Sequence, residues 1–179
     1  MLSDRALARN VRLRSMVENY SGTVWRSLRR LGVPAAGADD GVQHVFLIAS
    51  RRLDEIETGG ERQYLLGITL RVASELRRTL RRRRELPLDA DGVEFSRAAA
   101  IPPQQPDEMI DQKRLLELFA TCFDKMPDKL REAFVLFELE ELSASEVAQA
   151  LRVPVGTVAS RVRRARECIR KDLARRGIR

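Results

Sequence analysis

The stretch from Leu142 to Leu173, LSASEVAQALRVPVGTVASRVRRARECIRKDL, constrains this chain more than any other. Ser143 and Glu146 stand at S-x-x-E spacing. That is a capping box, in which the serine oxygen accepts from the N3 amide and the glutamate reaches back to the cap amide. Val147, Ala148 and Leu151 then share one helical face. The segment Arg152-Val153-Pro154-Val155-Gly156 breaks the pattern, and Pro154 suits the first position of a new helix because it has no amide hydrogen to leave unpaired. In that second helix Val158, Val162, Ala165 and Ile169 recur at i, i+4, i+7 and i+11, which makes an apolar stripe. A short helix, a tight turn and a longer helix in this order predict a helix-turn-helix with its reading helix last.

Thr157, Ser160, Arg161 and Arg164 lie beside or opposite that stripe. Arginine can fork onto guanine or phosphate, and serine and threonine can contact either. These four residues are therefore candidates for duplex DNA contact. The alternative for the same face is a solvated basic surface on an ordinary core helix.

Charge points the same way. The 179-residue chain carries a formal net charge of +7, and its only lysines are Lys113, Lys125, Lys129 and Lys171. The excess is thus arginine, which favours bidentate contact with phosphate and guanine. Residues 1–84 hold 17 basic and 9 acidic side chains, residues 85–110 hold 1 and 6, and residues 111–179 hold 15 and 11. Two basic blocks around an acidic bridge suit two contacts on one polyanion. Aromatic residues make up 5% of the chain, which argues against base stacking as the main binding mode.

Several function classes are disfavoured. Cys122 and Cys168 stand in helical patterns without partners at metal-ligand spacing, and the chain has one histidine, His44. No metal site and no cofactor are expected, and both cysteines read as packing or incidental residues in a reducing compartment. No run of 18 apolar residues and no signal peptide is evident, so a cytoplasmic protein is expected. The Gly-Gly segment within IETGGER (Ile56–Arg62) lacks the lysine and length of a P-loop. A serine recombinase would need a nucleophile among arginines, whereas Ser3, Ser15, Ser21 and Ser27 lie in a plain helical stretch. No catalytic residues are expected.

Periodicity organises the rest. Residues 1–12 read as a frayed end or a short lead-in helix. Leu13 to Leu31 reads as a helix with Met16, Val17, Tyr20, Val24, Trp25 and Leu28 inward, and Trp25 as core. Gly32-Val33-Pro34 stops it. Ala38 to Leu53 reads as a second helix packing Val42, Val45, Phe46, Ala49 and Leu53. Its opening Asp39 and Asp40 complement the helix dipole, and His44 reads as a surface histidine. After the Ile56–Arg62 loop, a third helix from Gln63 to about Arg84 packs Tyr64, Leu65, Ile68, Val72 and Leu76. It ends in RRTLRRRR (Arg77–Arg84), whose six arginines favour phosphate contact over a merely solvated helix end. Residues 85–110 hold Pro87, Pro102, Pro103 and Pro106 and read as a linker, able to span about 85 Å when extended at roughly 3.3 Å per residue. Asp111 to about Lys125 and Asp128 to Leu139 read as two further helices before the helix-turn-helix. No strand pattern competes. The expected fold is all-α, with helical domains over 1–84 and 111–179.

These residues carry a resemblance. DDGVQHVFLIA, followed by a Gly-containing loop and an arginine-tailed helix, resembles region two of bacterial sigma factors. MPDKLREAFVLFELEELSASEVAQALRVPVGTVASRVRRAREC resembles their region four. The two domains and the Pro-rich linker are similar to the extracytoplasmic-function (group four) sigma factors. The resemblance implies a protein that binds core RNA polymerase and directs it to promoter DNA. Region two is then expected to melt and read the minus-ten element, and region four to read the minus-35 element. By position it implies that Asp40, Gln43 and His44 face polymerase. It further implies that Gly59, Gly60, Glu61, Arg62 and Gln63 form a loop capturing an unstacked base, and that Arg71, Glu75 and Arg78 read DNA just upstream. Thr157, Ser160, Arg161 and Arg164 fall on the minus-35 reading helix. An anti-sigma factor is an expected further partner. His44, Tyr64, Arg71 and Ala159 depart from the family's usual acid, tryptophan, asparagine and lysine. The alternative reading is a stand-alone helix-turn-helix regulator that binds duplex DNA without polymerase.

Overall fold

The structure is a computed structural model that describes residues 2–85, 122–123 and 125–177, with the side chains of 2–5 and 83–85 left aside. Every regular element among the described residues is helical. Internal contacts divide the chain into two compact units, Met1–Glu94 and Phe95–Arg179. The expected linker over 85–110 lies outside the described residues, except Glu85, which ends a helix. Most of the helix expected over Asp111–Lys125 lies outside them too; Cys122, Phe123 and Lys125 are helical.

The first unit has three helices: α1 (Leu2–Arg30), α2 (Ala35–Arg51) and α3 (Glu61–Glu85). Each packs on the other two. Helix α1 is continuous from Leu2, so residues 2–12 neither fray nor form a separate lead-in. At 1.5 Å per residue its 29 residues run about 43 Å. It stops where the sequence predicts. Gly32 takes a left-handed φ of 89°, and Val33 N–H donates back to Leu28 at 3.0 Å, closing the helix end. Helix α2 starts three residues before the expected Ala38, because Pro34 caps it and Gly37 N–H bonds Pro34 O at 3.0 Å.

The core between these helices holds Met16, Val24, Leu28, Ala38, Val45, Phe46, Ala49, Leu65, Leu66, Ile68 and Val72. Burial of each large aliphatic side chain contributes about 1.5–3 kcal/mol. Trp25 is only half-buried, contrary to expectation. Its ring lies at the α1–α2 corner, with Nε1 donating to Asp39 Oδ1 at 3.1 Å and the Arg29 guanidinium 5.9 Å from the ring centroid. An indole N–H needs an acceptor, and an exposed carboxylate supplied one at the surface. Val17, also expected inside, is exposed. Arg77, the first residue of the arginine run, is buried and donates to the carbonyl of Leu31. It fastens α3 to the end of α1 and is not a surface phosphate ligand.

In the second unit, α4 (Asp128–Phe134) passes into one π turn (Val135–Leu139) before α5 (Ala144–Leu151) and α6 (Val155–Arg175). The expected single helix over Asp128–Leu139 therefore widens midway, with Glu140 N–H reaching back five residues to Val135 O at 2.9 Å. Ala133, Val135 and Leu136 are buried. Met126, Ala165 and Ile169 form a core cluster flanked by Phe123, Leu130, Phe134, Cys168 and Leu173. Phe123 and Phe134 pack tilted, with ring centroids 5.7 Å apart.

Candidate nucleic-acid interface

The reading helix is set by two caps. Ser143 Oγ accepts from Glu146 N–H at 3.3 Å, and Ser143 N–H donates to Glu146 Oε2 at 2.8 Å. Both halves of the capping box are thus made, and α5 begins where the sequence places it. Arg152 ends α5 in the left-handed region, with φ 53° and ψ 49°, and Val153 N–H closes onto Ala148 O at 3.0 Å. Pro154, expected at the first helical position, is instead the N-cap, and α6 begins at Val155. The Pro154 carbonyl accepts from Thr157 N–H at 2.9 Å.

The four stripe residues of α6, Val158, Val162, Ala165 and Ile169, are all buried. That fixes the rotation of the helix. Thr157, Ser160, Arg161 and Arg164 come together at i, i+3, i+4 and i+7 on another face, half-buried or exposed. Among the described residues no carboxylate pairs with Arg161 or Arg164. The Ser160 hydroxyl donates to Thr157 O at 2.9 Å, so its lone pairs are what it can offer to a base. Arg166 is engaged otherwise: its guanidinium grips Glu138, with Nε 2.8 Å from Oε1, and ties α6 to the π turn.

In the first unit the predicted loop Gly59–Gln63 is a loop only as far as Gly60. Glu61, Arg62 and Gln63 form the first turn of α3, because the carbonyl of Gly60 already accepts from Tyr64 N–H at 3.0 Å. Gly59 has φ 88°, and a Cβ there would meet nothing within 4 Å, so the loop's outer side is open. Its inner side is tied down. Leu53 and Ile56 are buried. Glu61 Oε2 accepts from Gly59 N–H at 2.7 Å, and Oε1 accepts from Arg12 Nη2 at 2.9 Å. The same guanidinium donates to Ile56 O at 2.7 Å and Leu53 O at 3.3 Å. One turn earlier Arg9 pairs with Asp54 and donates to Ser50 O at 3.1 Å. The Arg12 hydrogen bond, first, and the Gly59 amide hold the Glu61 carboxyl below its ordinary range. Neither Arg9 nor Arg12 has a local sequence signal, since their partners lie 41 to 49 residues away.

Arg71, Glu75 and Arg78 are exposed at i, i+4 and i+7 along α3. On α2, Asp40, Gln43 and His44 form one exposed face. Leu47 extends it while 52% exposed, a residue that apolar composition alone would place inside. Its spacing of three from His44 and four from Gln43, off the buried stripe, is the signal that identifies it. Among the described residues no three His, Cys, Asp or Glu side chains are grouped to hold a metal, and no helix is long and apolar enough to cross a membrane.

A family model described as Sigma-70, region 4, matches residues 116–169, which include the reading helix to Ile169. The ECF RNA polymerase sigma-E factor of Escherichia coli K12 is 33% identical over 143 residues, covering 76% of this chain and 74% of that protein. The chain belongs to the ECF sigma factor family. The ECF RNA polymerase sigma factor SigE of Mycolicibacterium smegmatis is 29% identical over 160 residues. The match covers 89% of this chain but spans only 61% of that relative's length. Among solved structures, the sigma factor RpoE of Bartonella quintana, in complex with the anti-sigma factor NepR, aligns with a TM-score of 0.67 at 25% identity. It covers 90% of this chain and 96% of that one. CnrH, in complex with the cytosolic domain of CnrY, shares the fold, with a TM-score of 0.66 at 23% identity over 90% of this chain and 87% of that one. In this sigma factor, then, the face made by Thr157, Ser160, Arg161 and Arg164 lies within the matched region four.

Proposed function

We propose that this sigma factor binds core RNA polymerase in the cytoplasm and directs promoter-specific initiation, with its two units reading separate promoter elements. The observation that carries this reading is the rotation of α6. Four buried apolar residues lock the helix so that Thr157, Ser160, Arg161 and Arg164 face outward within the region-four match. That face is the proposed minus-35 reader, with the arginines forking to guanine or phosphate. Residues 1–84 are assigned as region two and 111–179 as region four, joined by 85–110.

In region two the proposed polymerase face is Asp40, Gln43 and His44, with Leu47 at its apolar centre. The Gly59–Gln63 segment and the Arg71, Glu75 and Arg78 face are the proposed minus-ten contacts. Extruding a base costs a few kcal/mol, which loop contacts and backbone cations must offset. The Bartonella relative was solved with its anti-sigma factor, which supports an anti-sigma protein as a further partner. Within this reading the protein steers initiation and performs no bond chemistry itself.

In vitro transcription with purified core polymerase and a genomic promoter library tests this reading. Core polymerase is expected to gain initiation at a defined promoter set only when the protein is added. Tight binding of duplex DNA by the protein alone, with no gain in initiation, would establish the stand-alone regulator instead.

A further inference from the structure

We infer that Arg12 and Glu61 form a clasp that presets the Leu53–Gly60 loop for base capture; within the proposed Gly59–Gln63 contact segment Glu61 serves by holding the loop, and neither side chain itself touches DNA. This rests on the proposed minus-ten role of the loop. The Glu61 carboxylate is committed inward, one oxygen to Gly59 N–H and the other to Arg12. Arg12 in turn fills three acceptors, the carbonyls of Leu53 and Ile56 and the Glu61 carboxylate. Leu53 and Ile56 seat the loop in the core, and Gly60 N–H bonds Glu57 O at 3.1 Å. The Leu53, Ile56 and Glu57 carbonyls and the Gly59 and Gly60 amides are thus satisfied from the protein side, while the side above Gly59 is open. A base entering there would meet a surface already in shape. No part of its binding free energy would go into ordering glycines, whose conformational freedom is the greatest of any residue.

The clasp has a consequence for specificity. A loose Gly-Gly loop adapts to any base, whereas a fixed one discriminates by shape. Arg12 and Glu61 are therefore positioning residues for base selection, although Arg12 lies far from the loop in sequence. An arginine that instead contacted phosphate would add affinity for every sequence alike and would contribute to the salt dependence.

The full chain, assembled with core polymerase, is used to select a single-stranded 12-mer from a randomised DNA pool. Binding of that 12-mer and its single-base variants is then measured between 50 and 300 mM salt. For Arg12→Ala and Glu61→Ala, discrimination at the most selective base is expected to fall about five- to tenfold, with the wild-type salt slope retained. The double variant should lose no more than either single one. Arg12→Lys keeps the charge but cannot fork to three acceptors, so it should keep the slope and lose discrimination even if Arg12→Ala fails to fold. A slope lower by about 0.7 with discrimination intact would make Arg12 a phosphate contact and overturn the clasp. Loss of discrimination in Glu61→Ala but not in Arg12→Lys would make Glu61 a direct reader and overturn it too. If the wild-type holoenzyme selects no sequence while hydrogen exchange still shows a protected Gly59 amide, the minus-ten role fails and the clasp stands as a structural device only.

Discussion

The Cys122 thiol donates to Oδ2 of Asp172 at 3.1 Å, joining the helical stretch before α4 to the last turns of α6. Asp172 also accepts from Arg176 Nε at 2.9 Å. Burial first, and the neighbouring carboxylate second, push the Cys122 thiol from its ordinary 9.0 up to about 11. Hydrogen bonding from Cys122, first, holds the Asp172 carboxyl below its usual range.

A raised thiol value means that the folded state keeps its proton when the unfolded chain has lost it. The associated stability is fully present below pH 9 and is lost as pH rises from about 9 to about 11. Urea unfolding of the wild type between pH 8 and 11 is expected to show roughly 1 kcal/mol more loss than Cys122→Ala over the same window, after allowance for solvent screening. Equal slopes would mean that the thiol is not held protonated by this site. The same geometry makes Cys122 a poor nucleophile, because the thiolate is the reactive form.

On α6, Arg161 belongs to the proposed reading face, whereas Arg166 holds the helix to the π turn. Arg161 stands on the outward face, while Arg166 grips Glu138. Arg161→Ala is expected to reduce discrimination between minus-35 sequences by about 1–3 kcal/mol per lost bidentate contact. Arg166→Ala should leave discrimination unchanged and cost no more than about 1 kcal/mol of stability, because the pair is partly exposed to solvent. Promoter competition assays and thermal melts check the two halves. Equal loss at every minus-35 sequence in Arg161→Ala would indicate a phosphate contact.

What the sequence reveals depends on how far apart the partners lie. The capping box at Ser143 and Glu146 needs three residues, and the α6 stripe needs a regular spacing. Both are legible, and both fix the face that carries Arg161. The Gly32 stop of α1 is equally local. Arg12, Arg77 and Trp25 are different. Arg12 reaches 49 residues to Glu61, Arg77 reaches 46 back to Leu31, and Trp25 turns outward because Asp39 on another helix accepts its N–H. A run of arginines reads as a uniform basic patch until a carbonyl at a helix end claims one of them. The start of α3 was hidden for a similar reason: Glu61 looks like loop composition but closes the first helical turn.

The turn of the helix-turn-helix carries an unusual choice. Arg152 sits at φ 53°, a region that a side chain disfavours by roughly 1–2 kcal/mol. Arg152→Gly is expected to raise the stability of the second unit by up to about 1 kcal/mol, part of the gain being offset by a freer unfolded chain. Arg152→Val should lower it by a similar amount, since a β-branched side chain is least tolerant there. Chemical denaturation midpoints of the two variants should fall on opposite sides of the wild type. Midpoints that coincide would show that the turn relaxes without cost.

Two helix-interior glycines should respond oppositely to the same substitution. Gly41 on α2 faces Leu28 of α1 and Leu76 of α3. An added Cβ would meet Leu28 Cδ1 at 2.8 Å and Leu76 Cδ1 at 3.3 Å, and Leu28 is fully buried. Overpacking costs about 1–3 kcal/mol, which outweighs the roughly 1 kcal/mol that alanine gains over glycine in a helix. Gly41→Ala should therefore lower the melting temperature. At Gly67 on α3 the added methyl meets nothing within 4 Å, so only the helix term remains. Gly67→Ala should raise stability by up to about 1 kcal/mol, or several degrees for a unit of this size. A stabilised Gly41→Ala would mean that α1 and α2 can move apart by a few tenths of an ångström. The Trp25–Asp39 hydrogen bond would then lengthen, which a shift in tryptophan fluorescence would report.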